Sequence, residues 1–267
     1  MKKYFLTFFV FGFISFSVTA QSEIESIKTT LNQYIDGTAI GVRTKLKNAF
    51  HPHFDLFLIA ADTLRTIKGS EYINRVESGK VYNRKAKIIS IDYENDTAVG
   101  KIEVYFPDRN QVATDYLLLL KGNEGWKIIH KIIDLKGTDL AQKNPKNEYN
   151  NLPILNKTLL NYVEGTANGE VARINQAFQK GFNLYYIKDS TITVLPGTRY
   201  LQNFTEGKKN NRIGKIVGVD FESKAAYAKV EVRMPESGRR VMDFLLLLKI
   251  KDEWKIIHKS FTTNKYQ

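Results

Sequence analysis

Apolar residues recur along the chain at two different spacings, which alternate in a fixed order. Over residues 22–34 they recur every three to four positions, which predicts a helix that Gly37 ends. The same spacing predicts a second short helix over 42–50 and a third over 69–77. Elsewhere apolar residues alternate with polar ones, which is typical of strands.

The strand pattern dominates the second part of this unit. Two short strands and four longer ones are predicted over 54–60, 64–67, 86–93, 97–106, 112–121 and 126–133. Polar turn residues separate the four longer strands. Two helices, a short strand, a helix and then a meander of long strands predict helices packed on one curved antiparallel sheet.

The whole pattern occurs twice. A shift of 128 residues lays residues 31–133 on 159–261 without a gap, and about 39 of roughly 103 aligned positions are identical. The segment WKIIHK at 126–131 recurs letter for letter at 254–259. A period this long indicates a duplicated domain and not a short solenoid unit.

The repeat divides the chain into two domains that should pack together. We predict domains over 21–136 and 153–267, with a polar, Asn/Lys-rich linker over 137–152. The strands DYLLLLK (115–121) and DFLLLLK (243–249) are apolar on both faces, which indicates burial on both sides. Helices cover one side, so we predict that the sister sheet covers the other in an intramolecular pseudo-dimer.

The first 20 residues have the features of a secretory signal peptide. A basic start is followed by an apolar run and by small residues that end at Ala20. The chain contains no cysteine, so neither a disulfide nor a bacterial lipoprotein anchor can form. We therefore expect export to the periplasm or the medium, with no stable membrane anchor after cleavage.

Four segments of the first repeat resemble a known superfamily. They are YIDG (34–37), AFHP (49–52), TDYLLLLK (114–121) and WKIIHK (126–131). They are similar to the nuclear transport factor 2-like (NTF2-like, or cystatin-like) superfamily, in the branch labelled lumazine-binding or SnoaL-like. The resemblance implies an α+β fold with two tandem cone-shaped domains, each enclosing an apolar pocket between a sheet and its helices. It also implies that such a protein either binds a ligand or is an isomerase, dehydratase or cyclase.

Carboxylates are the first candidates for chemistry in such a pocket. Asp115 and Asp243 open the apolar strand of each copy, and Asp115 is one residue from a loop. Loss of solvation at a pocket rim raises the pKa of a carboxyl group and suits it to general-base catalysis or ligand binding. The alternative is a carboxylate that is bonded to nearby backbone or to a Lys or Arg.

Tyrosines are the second candidates. They lie at helical positions where a hydroxyl could meet a ligand's oxygen. They are Tyr34, Tyr72, Tyr162 and Tyr200. The alternative is that each packs in the core with its hydroxyl satisfied.

Histidines are the third candidates. His130 and its equivalent His258 lie on the last strand of each copy, where simple alternation puts them on the face of Ile128 and its equivalent. His130 could transfer protons, or it could be a packed or interface histidine. His51 and His53 occur only in the first repeat, at the predicted pocket mouth, where they could bind a ligand or, for His51, act in catalysis. Two histidines hold Zn²⁺ poorly, so we predict no metal and no cofactor.

The positive charge is concentrated in the second repeat. The formal net charge is +12, of which residues 153–267 contribute about +8 and residues 22–137 about +2. A face containing Arg239 and Arg240 could capture an anionic partner, and a solvated basic surface is the alternative. Basic and aromatic residues are not interleaved as in RNA-binding modules, so nucleic acid is not an expected partner.

No known catalytic motif accompanies these residues. The chain has no glycine-rich phosphate loop, no GxSxG elbow and no HExxH sequence. The sequence therefore favours an exported, non-catalytic protein that binds a small apolar or aromatic molecule in a cone pocket. The alternative is a cone-pocket enzyme of the isomerase, dehydratase or cyclase type, with an Asp or His general base.

Overall fold

The two halves of the chain contain the same elements in the same order. A computed structural model describes residues 12–138 and 145–265, and the side chains of 21–138 and 151–265. The first half contains α1 (Gly12–Ala39), α2 (Arg43–Ala49), β1 (Phe50–Ala60), β2 (Thr63–Lys68), α3 (Gly69–Asn74), β3 (Lys85–Glu94), β4 (Thr97–Phe106), β5 (Gln111–Gly122) and β6 (Gly125–Gly137). The second contains α4 (Pro145–Asn168), α5 (Val171–Ala177), β7 (Phe178–Lys188), β8 (Thr191–Pro196), α6 (Gly197–Leu201), β9 (Ile213–Phe221), β10 (Ala225–Met234), β11 (Arg239–Ile250) and β12 (Glu253–Lys265).

Each half forms one six-stranded sheet. The strand orders are β2-β1-β6-β5-β4-β3 and β8-β7-β12-β11-β10-β9. Strands β3 to β6 form the predicted antiparallel meander. The sheet is mixed and not antiparallel throughout, because β1 pairs in parallel with β6, and β7 with β12. This pairing is possible because the chain leaves the β1–β2 hairpin through α3 before it enters the meander.

One face of each sheet is covered by the helices of its own half. In the first half, α1 and α2 bury Ile27, Leu31 and Leu46 against Leu117 and Leu119 of β5. The equivalent core of the second half contains Leu159, Ile174, Leu245 and Leu247 among others. Helices on one sheet face produce the predicted cone-shaped α+β domain.

The other face of each sheet is covered by the sister sheet. A third core contains residues of both halves: Val99, Tyr116, Leu118, Leu120, Ile129 and Ile132 from the first, and Ala225, Tyr227, Met242, Phe244, Leu246, Leu248 and Ile257 from the second. Leu118 and Leu246 are fully buried there, while their neighbours Leu117 and Leu245 face the helices. The prediction of two tandem cone domains in a sheet-against-sheet pseudo-dimer is therefore confirmed.

Ion pairs at the rim of this interface repeat with the internal symmetry. Lys101 Nζ lies 2.6 Å from Asp220 Oδ1, and the equivalent Lys229 Nζ lies 2.7 Å from Asp92 Oδ1. Each aspartate also accepts a hydrogen bond from a buried tyrosine, Tyr116 for Asp220 and Tyr227 for Asp92. Such reciprocal contacts are the property of a two-fold interface, here within a single chain.

The end of α1 differs from the prediction. The helix continues through Gly37 and ends at Ala39, and Gly41 takes the left-handed conformation with φ of +65°. Gly37 instead provides space, because a Cβ there would lie 2.7 Å from a methyl group of Leu46 in α2. Two glycines at one helix end thus have different functions, a close helix contact and a turn.

The segment predicted as a linker, 137–152, contains the last residue of β6 and the first turns of α4. β6 extends to Gly137, and α4 begins at Pro145. Proline fits the first turn of a helix, where its missing N–H has no partner to lose. Most of the predicted leader 1–20 lies outside the described residues, and the backbone from Gly12 onward belongs to α1.

Because the two sheets share a core, we predict that both halves unfold together. The chain has two tryptophans, and each reports on one half: Trp126 on the first and Trp254 on the second. Urea unfolding of Trp126→Phe and Trp254→Phe, followed by fluorescence, should give coincident transitions. Leu46→Ala, which creates a cavity in the first core only, should lower the midpoint seen by both probes, with a loss of about 2–5 kcal/mol. A shift seen by Trp126 alone would show that the halves unfold independently.

Candidate functional site

A charged cluster lies in the interior of the first cone. Lys131 Nζ of β6 donates to Asp115 Oδ2 of β5 at 2.8 Å and to the Tyr34 hydroxyl of α1 at 2.5 Å. The Tyr34 hydroxyl in turn donates to Asp115 Oδ2 at 2.6 Å. All three side chains are at most 3% exposed. The cluster is therefore a closed triangle of hydrogen bonds with one charge of each sign.

The second cone contains the same cluster. Lys259 Nζ lies 2.6 Å from both the Tyr162 hydroxyl and Asp243 Oδ1, and Tyr162 donates to Asp243. Burial, followed by the charge of the nearby aspartate, raises the pKa of Tyr34 and of Tyr162 well above that of a free tyrosine. Both phenols are consequently neutral donors.

An arginine adds a second positive charge beside each cluster. Burial acts to lower the pKa of Arg84 and of Arg212, but the neighbouring tyrosines and aspartate raise it overall. The guanidinium groups lie over aromatic rings, 5.1 Å from Phe106 for Arg84 and 5.7 Å from Phe204 for Arg212. Among the described side chains, neither arginine has a carboxylate within 4 Å.

A β-bulge in the last strand puts the lysine on the cone side. Leu118 pairs with His130, but Leu119 pairs with Ile128, so Ile129 has no partner across the ladder. The extra residue reverses the alternation of side chains beyond it. Lys131 consequently points to the helices and His130 to the sister sheet, and an identical bulge at Ile257 has the same result in β12.

A cavity opens beside each cluster. The first has a volume of about 440 Å³ and the second about 480 Å³. Their walls are mainly apolar, with Leu56, Ile67 and Phe106 in the first. Arg84 and Tyr72 line the first cavity, and Arg212 and Tyr200 line the second. Volumes of this size hold small organic ligands.

The two aspartates lie deeper than the sequence suggested. Asp115 is the fifth residue of β5 and 1% exposed, and Asp243 is 0% exposed, so neither is at a pocket rim next to a loop. β5 begins at Gln111, one residue before the predicted strand 112–121, and Asp115 lies inside its ladders with β4 and β6. Tyr34 and Tyr162 are the partners of these aspartates, whereas Tyr72 and Tyr200 line the cavities.

His130 and His258 lie outside both cones, contrary to the expectation that they share a face with Ile128 and its equivalent. They stack on each other between the sheets, with ring centroids 3.7 Å apart and planes 5° from parallel. Tyr185 contacts the His130 ring edge and Phe57 that of His258, each at 4.5 Å. The bulge is the reason, because it turns these two side chains to the opposite sheet face.

His51 and His53 are also away from the cone mouth. Their ring centroids are 5.6 Å apart at the start of β1, and His53 is exposed. His51 lines a separate depression of about 300 Å³, which the β5–β6 turn and Ile192 of the other half complete. Phe50 and Phe54 take the inward positions at this end of β1. Among the described residues, no three His, Cys, Asp or Glu side chains are grouped to hold a metal ion.

Sequence reasoning did not identify the lysines and arginines of the site. In a strand where polar and apolar residues alternate, a lysine is expected to face solvent, so neither Lys131 nor Lys259 was predicted to belong to a site. Comparison of the two repeats does contain a signal for these residues. Arg84 and Lys131 are identical in the second repeat, as Arg212 and Lys259, although more than half of the aligned positions differ. Polar identity between the repeats would have selected them, the lysines within β6 and β12 and the arginines directly before β3 and β9.

The arrangement holds one carboxylate and two cations close together. Asp115 accepts from a tyrosine and an ammonium group through Oδ2, whereas its buried Oδ1 has no hydrogen-bond partner among the described residues. The cavity beside it is bounded by an unpaired guanidinium, which can attract an anion. No described helix is both long enough and apolar enough to cross a membrane.

Comparison with known proteins identifies the family. Residues 22–133 and 152–262 each match the family described as "Putative lumazine-binding". These two matches cover most of the chain, so the protein belongs to this family and contains its domain twice. No protein with a curated description matches the sequence.

Several solved structures are similar to part of the chain. An NTF2-like protein of unknown function from Silicibacter pomeroyi DSS-3 has 17% identity and a TM-score of 0.40, over 44% of this chain and 98% of that one. One from Shewanella baltica OS155 has 22% identity and a TM-score of 0.39, over 47% and 100%. One from Methylobacillus flagellatus KT has 24% identity and a TM-score of 0.39, over 43% and 94%.

We predict that the charged triangle is essential for stability. Lys131→Met leaves the Asp115 carboxylate buried without a cation and should lower the free energy of unfolding by about 3–5 kcal/mol. Lys87→Met is the control, because its side chain is 66% exposed and should change stability by less than about 1 kcal/mol. Urea titration measures both. Equal effects of the two substitutions would contradict a structural role for the triangle.

We also predict acid sensitivity from the stacked histidines. Burial lowers the pKa of His130 to about 3 and that of His258 well below its usual value. The unfolded chain therefore takes up protons first, and stability is lost as the pH falls below about 6.5. Each histidine should remove about 2 kcal/mol between pH 6.5 and 5.

The measurement is urea unfolding at pH 7.5, 6 and 5. The double variant His130→Leu/His258→Leu should lose less stability over this range than the wild type. His53→Gln, which changes an exposed histidine outside the interface, should keep the wild-type slope. An unchanged slope in the double variant would count against the histidines as the cause.

Proposed function

We propose that this protein binds small, largely apolar molecules in its two cone cavities and does not itself catalyse a reaction. The observation that carries the proposal is the pair of cavities of about 440 and 480 Å³ in equivalent positions. Each has apolar walls and a few convergent polar groups, which is the usual composition of a small-molecule site. Membership of a family labelled lumazine-binding supports ligand binding as the role of the fold.

The non-catalytic part of the proposal rests on where the candidate general bases lie and on what they contact. Asp115 and Asp243 are each held by a lysine and a tyrosine. A general base must have a free electron pair within reach of the substrate, and these carboxylates lie outside the cavity linings. His130 and His258 are stacked between the sheets, away from both cavities. The described site therefore favours binding over an isomerase or dehydratase role.

Export is also part of the proposal. It is supported by the leader-like composition of residues 1–20. Mass spectrometry of the protein recovered from its source cell should give a mature chain that begins at residue 21. Recovery of the full chain from the cytoplasm would contradict this part.

The binding proposal is tested by closing each cavity in turn. Ile67 lines the first cavity and Leu195, its equivalent by the repeat, lines the second. The neutral dye N-phenyl-1-naphthylamine fluoresces strongly in apolar sites and should bind the wild type. We expect Ile67→Trp and Leu195→Trp each to remove one binding site, and the double variant to remove both.

The matched control is Val194→Trp. Val194 is adjacent to Leu195 but 50% exposed, so the added ring should lie in solvent and leave dye binding unchanged. Melting temperatures establish that every variant is folded. Dye binding that persists in the folded double variant would show that the cavities are not the site.

A further inference from the structure

We propose that the second cone binds a monoanionic ligand, such as an aromatic carboxylate, through Arg212, Lys259 and the hydroxyl of Tyr200. This inference rests on the proposed binding function and specifies the chemical class of the ligand. The charged end of the ligand would lie at the floor of the second cavity, formed by Arg212, Lys259 and Tyr200, and the apolar part would lie against its walls. Three independent observations support it.

The first observation is an excess of buried positive charge. Lys259 and Asp243 neutralise each other at 2.6 Å. Arg212 adds a further cation, and no described carboxylate lies within 4 Å of it. The tyrosine beside them stays neutral, because burial raises the pKa of Tyr162. A partly buried cation without a counterion is unfavourable, and a single negative charge from a ligand would balance it.

The second observation is an unused hydrogen-bond donor. Tyr200 is 7% exposed and lines the second cavity, and its O–H has no acceptor among the described atoms. The Arg212 guanidinium is beside it and can donate only to the hydroxyl oxygen, so the hydroxyl proton stays available. Buried hydroxyls normally have a partner. A carboxylate at this position would accept from Tyr200 and Arg212 together.

The third observation is that the lysine reaches the cavity only in the second cone. Lys259 belongs to the lining of the second cavity, whereas the described lining of the first does not include Lys131. The first cone also contains Arg84, but Tyr82 and Arg109 contribute to its opening where the second has Asn210 and Ser237. The second cone therefore presents more positive charge at its floor behind a less bulky rim.

The walls limit the rest of the ligand. Leu184, Leu195, Phe204, Val241 and Phe261 surround the cavity. Its volume of about 480 Å³ has room for a fused two-ring aromatic group. The opening is polar, since Glu236 and Arg239 lie there. A compact anion attached to an apolar ring system therefore matches both the floor and the walls.

The experiment compares 2-naphthoate with 2-naphthamide, its neutral counterpart of nearly the same shape. Calorimetric titration uses the full chain with Ile67→Trp, so that only the second cavity is open. Naphthoate should bind at least about tenfold more tightly than the amide, because hydrogen bonds to charged groups are the stronger ones. Arg212→Gln should remove this preference, and Tyr200→Phe should reduce it.

Two further variants keep the result interpretable. Arg199→Gln changes an exposed arginine of the same half that lies outside both cavity linings, and it should leave the preference intact. Arg212→Lys keeps the charge and should retain part of it, which separates a loss of charge from a loss of fold.

The outcomes separate this inference from the binding proposal. Equal affinity for naphthoate and the amide, or a preference that survives in folded Arg212→Gln, would overturn the anion site while dye binding still supports the cavities. If neither naphthalene probe binds although the dye does, the anion site is likewise rejected. Failure of dye binding itself contradicts the proposed function, and the inference with it.

Discussion

The packing of one sheet on the other is the constraint on which the rest of this molecule depends. A sheet whose central strand reads LLLL cannot expose either face to water without a large hydrophobic penalty. In each half the helices cover one face, and only the sister sheet is available within the chain to cover the other. Duplication in one polypeptide makes this pairing intramolecular, so it does not depend on protein concentration. The paired lysine–aspartate contacts at the rim, Lys101 with Asp220 and Lys229 with Asp92, hold the two sheets in one register.

A single extra residue in each last strand then decides what each sheet face contains. The bulge at Ile129 turns His130 into the shared core and Lys131 into the cone. Regular alternation would put an ammonium group between two apolar sheets and an imidazole beside Asp115. The ammonium group would then be buried among apolar side chains, and Asp115 would lose its permanently charged partner, so loss of the bulge would leave a buried cation uncompensated. The bulge is thus the link between the interface and the candidate site, because it supplies the site with its lysine and the interface with its pair of neutral rings.

The sequence was sufficient to predict the two packed domains but not the residues of the candidate site. The repeat and the doubly apolar strands predicted two packed cones, because burial on both faces leaves a compositional signal that needs no side-chain geometry. Predicting the bulge from spacing alone was not possible, since WKIIHK is compatible with unbroken alternation. His130 was therefore expected on the wrong face, and Lys131 went unnoticed. Asp115 was expected at a rim because it directly precedes the apolar run, but its depth depends on the pairing of β5 with β4 and β6, which is a tertiary property. Comparison of equivalent positions in the two repeats was the one guide in the sequence to which residues matter, because it shows which polar residues are kept in both copies.

The division between what the two cones share and where they differ has a functional consequence. Tyr34, Arg84, Asp115 and Lys131 are all repeated in the second copy, whereas the cavity rims are not: Arg75, Tyr82 and Arg109 correspond to Asn203, Asn210 and Ser237. Both cones hold an arginine beside a lysine–aspartate pair, but only the second cavity has the lysine in its lining, so the proposed preference for an anion should be stronger there. Under the binding proposal, the different rims should give each cone a different selectivity. Two sites with related floors and different rims would then admit two related molecules and not two copies of one. The buried cluster and the interface that positions it are what both copies keep.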